Sequence, residues 1–236
     1  MSLPKLDVPI YTLKLPSSGK KISYRPFLVK EEKILLMAVE GEDESEVINA
    51  IKQIINNCVI TKGINPENLA LFDIEYILLN LRSKSMGDVI KTTYVHKECK
   101  PVELEIDVNT VEVTKPKDHT NIIELTDTIG LVMKYPDITM MDMISPDGLN
   151  NQKTDDVFDL ITRCVDKVYD KEETYSKTDY TPEEIKEWIY GLTQDQFAKV
   201  EHFFETLPKM SKKVEFNCPC GYTEEILLEG LTSFFG

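Results

Sequence analysis

The stretch Phe216–Glu225, FNCPCGYTEE, sets Cys218 and Cys220 one residue apart and follows them with Gly221. On either side, KKVEF (212–216) and TEEILLEG (223–230) read as two short strands joined by the cysteine turn. A similar arrangement occurs far upstream, where His96 and Cys99 in YVHKECKPVELEI (94–106) lie between period-two segments. A tight turn at a hairpin tip can hold two ligands at the separation of one edge of a tetrahedron, which is how a zinc ribbon is built. Together His96, Cys99, Cys218 and Cys220 supply one imidazole and three thiolates, a donor set that suits a closed structural Zn²⁺ site. Gly221 fits such a turn because glycine adopts positive φ without a Cβ clash. The spacing is less regular than in common knuckles, since only Pro219 separates Cys218 from Cys220. Ordinary loop cysteines with a surface histidine are the alternative. A redox pair fits poorly, because a Cys218–Cys220 disulfide would close a cramped ring and a reactive thiolate needs a positive local field. A shared metal would join residues about 120 apart, so its binding free energy would become folding free energy.

The rest of the chain predicts helices between β-rich segments. VPIYTLKLPSSGKKISYRPFL (8–28) reads as a hairpin about its SSGK turn, with Tyr11, Leu13 and Leu15 on one face and Ile22 and Tyr24 opposite. A short helix follows and ends at Gly41; in the next one Val47, Ile51, Ile54, Ile55 and Cys58 recur at helical spacing, so Cys58 is expected in the core. Between the two, the acidic run EGEDESE (40–46) is expected to be a solvated loop and helix start. Asn65 and Pro66 signal the start of a helix over NPENLALFDIEYILLNLRSKS. Strands flank HKEC, and NIIELTDTIGLVMKYP (121–136) reads as another pair. Helices are predicted at DITMMDMI (137–144) and at TDDVFDLITRCVDKVY (154–169), the second with Cys164 on its apolar face. Thr181 with Glu184, and Thr193 with Gln196, form capping boxes before two further helices. In the last of these Phe197, Val200, Phe203, Phe204 and Leu207 point inward, and His202 falls on the polar side. His119 lies in a polar loop, KPKDHTN, and Phe234 and Phe235 near the C-terminus must enter the core or meet a partner. No repeat or Pro/Gly/Ser linker divides the chain. The expectation is one α+β domain over 1–236, with a zinc-ribbon-like subdomain formed by about 85–114 together with 210–228.

At 236 residues the chain can bury a sizeable core without staples. Its five cysteines do not suggest a disulfide framework, and the start MSLPKLDVPIY lacks the pattern of a secretory signal. No apolar run is long enough to span a membrane. A soluble, cytosolic protein is expected. With 41 acidic against 27 basic residues, a formal net charge of −14 argues against nucleic acid and anionic membranes as partners. All four candidate metal ligands are protein side chains, which leaves no open position for catalytic water, and H-E-x-x-H is absent. Phosphate-loop, dinucleotide and G-x-S-x-G motifs are absent too, so no enzymatic activity and no small-molecule substrate are expected.

Several segments together resemble a known family. SGKKISYRPFLVKEEKILLMA (18–38), LRSKSMGDVI (81–90), IGLVMKYP (129–136) and the cysteine turn followed by LEGLTSFF (228–235) are similar, in this order, to the baseplate hub assembly proteins of T-even-type bacteriophages. The resemblance implies a hub subunit or assembly factor for a contractile tail, acting through contacts with hub or other tail proteins in the host cytoplasm. It also implies two Cys-x-x-Cys-type knuckles; here His96 takes the place of one cysteine and the second knuckle is a residue short. A competing expectation is a zinc-ribbon regulator that contacts nucleic acid or polymerase through Lys97, Lys100, Lys209, Lys212 and Lys213. A metal-dependent hydrolase is the weakest of the three.

Overall fold

Alternating side chains fold Tyr11–Lys14 (β1) and Lys21–Tyr24 (β2) into an antiparallel hairpin, with Leu13 opposite Ile22 and Tyr11 opposite Tyr24. The computed structural model describes residues 6–41, 43–97, 99–143, 153–230 and 233. The turn of this first hairpin is anchored by Ser17, whose backbone N–H donates to Asp73 Oδ1 at 3.0 Å and whose hydroxyl donates to Oδ2. Helices α1 (Val29–Glu40) and α2 (Glu44–Cys58) follow, the second capped by Asp43, which accepts from the Ser45 N–H. Asn65 does cap a helical turn, but only the single 3-10 turn Pro66–Asn68; α3 (Leu71–Met86) starts separately after Ala70. Its buried residues include Phe72, Ile74, Ile77, Leu78, Leu79 and Leu81, so α3 is apolar on more than one face and serves as a core helix.

Strands β3 (Val89–Tyr94) and β4 (Val102–Asp107) form the hairpin that carries the first predicted knuckle. A short strand not separated out in the sequence, β5 (Glu112–Thr114), pairs with the start of β10 (Lys209–Asn217), which in turn pairs with β11 (Thr223–Glu229). Leu79 of α3, Ile90 of β3, Ile106 of β4 and Met210 of β10 share one apolar cluster. Leu104 and Phe216, with Cys218, form another nearer the turns.

Between β5 and β10 the chain builds a four-stranded antiparallel sheet from β6 (Ile122–Glu124), β7 (Gly130–Met133), β8 (Val165–Tyr169) and β9 (Thr174–Ser176), in that order. Helices α4 (Thr154–Cys164), α5 (Pro182–Tyr190) and α6 (Gln194–Glu205) join it in one core around Leu131, Leu160, Ile161, Val165, Ile189 and Phe203. Both capping boxes are present as read from the sequence, at Thr181 with Glu184 and at Thr193 with Gln196. The helix expected over 154–169 stops at Cys164, because the alternating VDKVY pairs on one edge with β7 and on the other with β9. DITMMDMI forms a 3-10 turn, Ile138–Met143, and its last residue lies outside the described residues. At Gly130 a Cβ would sit 2.7 Å from the Ile123 carbonyl oxygen, so the approach of β6 to β7 requires glycine.

The α+β class expected from the sequence is the class observed. The backbone groups into two compact units: 1–114 with 209–236, and 115–208. The second unit is an insertion between ladder partners, since Thr114 pairs with Lys209 at its two ends. No long linker is needed for such an insertion, so no Pro/Gly/Ser-rich stretch marks its ends. No helix among the described residues is long and apolar enough to cross a membrane.

Candidate metal centre

The two predicted knuckles meet. His96, Cys99, Cys218 and Cys220 each offer one ligand atom, and these four atoms all lie within 4.8 Å of one another. His96 Nδ1 is 3.8 Å from Cys99 Sγ and 3.5 Å from Cys220 Sγ. A nitrogen about 2.1 Å and a sulfur about 2.3 Å from a tetrahedral ion would sit about 3.6 Å apart, so both separations fit two edges of such a site.

Local backbone geometry explains how each turn presents its pair. In the first, the Cys99 N–H donates to the His96 carbonyl at 2.9 Å, and Lys97 adopts the left-handed region at φ 49°. In the second, the Gly221 N–H donates to the Cys218 carbonyl at 2.9 Å and the Cys218 N–H to the Tyr222 carbonyl at 2.8 Å. Gly221 has φ 93°, as expected of a glycine that lets the chain re-enter β11. Pro219 bends the chain between the cysteines, and a one-residue spacing therefore suffices to bring both sulfurs to the same place.

Two features of the site were not read from the sequence. The Tyr222 ring stacks on His96, with centroids 4.0 Å apart and planes 3° from parallel, which fixes the imidazole's orientation. An aromatic residue directly after Gly221 was the available signal. Beneath the cysteines, Tyr94 and Phe216 meet edge to face at 4.7 Å and give the cluster an apolar floor.

Electrostatics divide the thiols into classes. The Tyr222 N–H, followed by Cys218 and His96, stabilises the Cys220 thiolate and pulls its pKa down to about 6. The neighbouring sulfurs of Cys218 and Cys220 push Cys99 up to about 11. This is the pattern of thiols crowded around one negative charge, and a divalent cation placed among them would displace the remaining protons. Burial pushes Cys58 up to about 11 and Cys164 up to about 12; both are core residues, as the sequence predicts.

The other two histidines separate. His202 is exposed, as expected, with Nε2 2.9 Å from Asp118. His119 does lie in the loop between β5 and β6, but it is buried, with Nδ1 2.9 Å from the Thr206 hydroxyl and Nε2 3.2 Å from the Tyr135 hydroxyl, and it stacks on Phe203. Burial lowers its pKa and keeps the ring neutral. Its polar sequence neighbours conceal it, because its partners come from α6 and the segment after β7. The tail holding Phe234 and Phe235 lies outside the described residues.

Searches among curated proteins and among solved structures each return no match. A family model described as T4 bacteriophage base plate protein matches residues 8–236, nearly the whole chain. On that match, the protein belongs to the T4 bacteriophage base plate protein family.

Proposed function

We propose that the protein is a baseplate hub assembly factor or hub subunit that acts by protein–protein binding, without enzymatic activity, and that one zinc ion held by His96, Cys99, Cys218 and Cys220 closes its zinc-ribbon-like part, about 85–114 with 210–228. The observation that carries the proposal is the family match over residues 8–236, because a base plate is built from contacts among tail components. The ligand cluster supplies the structural half: imidazole and thiolates fit zinc, and two distant hairpin tips need a fastening. Zinc there would supply cross-linking rather than chemistry, and the side chains of this chain do the positioning. Gly221 and Lys97 shape the two turns, Tyr222 orients His96, and Phe216 keeps the floor dry.

The expected setting is the host cytoplasm during virion assembly, with retention in the finished baseplate as a second possible fate. Against the regulatory alternative, part of the expected basic patch is already neutralised. Lys213 lies 2.5 Å from Glu225 and Lys209 3.8 Å from Glu229. The acidic balance of the chain further disfavours nucleic acid.

Affinity capture from infected cells, set beside the protein inventory of purified tails, tests the proposal. Hub or other baseplate components should co-purify at ordinary salt. Recovery of nucleic acid, with a steep loss on adding salt and no tail protein bound, would replace it with the regulatory alternative.

A further inference from the structure

The inserted unit, 115–208, holds 20 acidic residues against 10 basic ones, so it carries −10 of the formal net charge of −14. Within it, a cavity of about 460 Å³ opens between the β8–β9 hairpin and α5. Its walls include Ile129, Val168, Tyr175, Tyr180 and Trp188, with Asp170 and Glu184 among the lining residues. Tyr180 is 45% exposed and Ile129 38% exposed, so large apolar surface stands at its mouth. A second hollow of about 300 Å³ shares Ile129 and Trp188 and adds Leu125, Leu192 and Glu187. Two hollows joined through a common wall suit an extended chain better than one compact molecule.

The polar groups are arranged for a cation. Asp170 accepts from the backbone N–H groups of Glu172 and Glu173, both at 2.8 Å, and from the Tyr175 hydroxyl at 3.0 Å. These bonds hold its carboxyl below the ordinary value, so it stays charged. On Glu184 the capping bonds from the Thr181 N–H and hydroxyl both fall on Oε2, and Oε1 takes no part in the cap. Lys177, the one cation among the described lining residues, directs its ammonium to the carbonyls of Thr162 and Arg163 at 3.4 and 2.5 Å. Aromatic faces with adjacent carboxylates attract guanidinium and ammonium groups, whose aliphatic stems can lie along the rings.

We propose that this groove docks an extended, arginine- or lysine-bearing segment of a partner protein, with apolar side chains in the hollows and the cations among Tyr175, Tyr180, Trp188, Asp170 and Glu184. The inference rests on the proposed action by protein contact, and it names where that contact is made and with what chemistry.

Trp188 is the only tryptophan in the chain, so its emission reports on the groove directly. The full-length protein is titrated with a capped peptide alternating arginine and leucine, and with one alternating aspartate and leucine. The arginine peptide should shift Trp188 emission saturably, and less so at high salt. Tyr180→Ala should weaken it about tenfold, as expected for an interface aromatic. Glu205→Gln, which removes a charge from the same unit outside both hollows, should leave it unchanged. No emission change, an equal response to the aspartate peptide, or full binding by Tyr180→Ala would overturn the proposal. So would an equal response to free arginine amide, which would make the occupant a small molecule, or a concentration-dependent shift without peptide, which would make it a second copy of this chain. If Tyr180→Ala loses the peptide yet the wild-type protein captures no tail component, the groove stands and the assembly role falls. If the wild-type protein captures tail components while its groove ignores the peptide, the assembly role stands and the groove falls.

Discussion

The two units are held together by different means. Unit 115–208 is continuous in sequence and closes one apolar core, in which sheet residues such as Leu131 and Val165 meet helix residues such as Ile161, Ile189 and Phe203. Its partner is assembled from segments at the two ends of the chain; two of its apolar clusters gather around Leu79, Ile106 and Met210 and around Leu104 and Phe216, and Ile22, Ile54, Ile55, Ile77 and Leu81 are buried in it as well. Added to that burial are polar fastenings between segments far apart in sequence or at its edges: the cysteine–histidine cluster, the Ser17 bonds to buried Asp73 and the Arg25–Glu31 pair. Joining segments from the two ends of the chain favours directional links that specify the partner. Such links also make the discontinuous unit more sensitive to chelators, acid and single polar substitutions.

The largest expected effect comes from the proposed metal. Chelation, or Cys218→Ser with Cys220→Ser, should lower hydrogen-exchange protection of β10 and β11 by on the order of a hundredfold or more, since structural zinc can contribute on the order of 10 kcal/mol in small domains. Protection of β7 and β8 should persist. Equal loss in both units would erase the distinction between them.

Next comes Glu31, which is 0% exposed and accepts from Arg25 Nη2 at 2.9 Å and from the Leu28 N–H at 2.9 Å. Burial pushes its carboxyl up, but the Arg25 and Leu28 hydrogen bonds outweigh this and hold the pKa below the ordinary value. Glu31→Ala should destabilise the discontinuous unit by about 3–5 kcal/mol, because it strands a largely buried guanidinium. With a lowered folded pKa, the contribution of Glu31 is present above the ordinary glutamate value and is lost as pH falls through the folded value. Denaturant midpoints across the acid range should therefore decline in wild type and decline less in the variant.

Within 115–208, Ile161→Ala should cost about 2–5 kcal/mol by opening a cavity, and the loss should be the same with or without chelator. A chelator-dependent loss would couple the two units. The smallest effect is expected at a cap: Thr193→Ala removes the acceptor for the Gln196 N–H and should lower stability by about 1 kcal/mol in thermal unfolding.

What the sequence revealed follows the range of the interactions involved. The first hairpin, both capping boxes and the cysteine turn depend on residues a few positions apart, and each is found where local pattern places it. The four predicted ligands also come together, because each pair is fixed by its own turn and only the joining of the turns is long-range. Features that depend on distant partners were hidden. Residues 165–169 continue the apolar stripe of α4 but pair with β7 and β9, and ladder pairing decides their state. His119 has polar neighbours in sequence and aromatic ones in space. Glu31 is charged, yet it shares the inward stripe of α1 with Leu35 and Ala38, where Arg25 and the Leu28 N–H make its burial tolerable. No Pro/Gly/Ser linker marks the insertion, because its ends are adjacent strand partners.

Elemental analysis of the purified, reduced protein addresses the proposed clasp most directly. One zinc per chain is predicted, lost together with β10–β11 protection when Cys218 and Cys220 are replaced by serine. A metal-free preparation whose terminal hairpin is as well protected as β7 and β8, and is indifferent to added zinc, would contradict it.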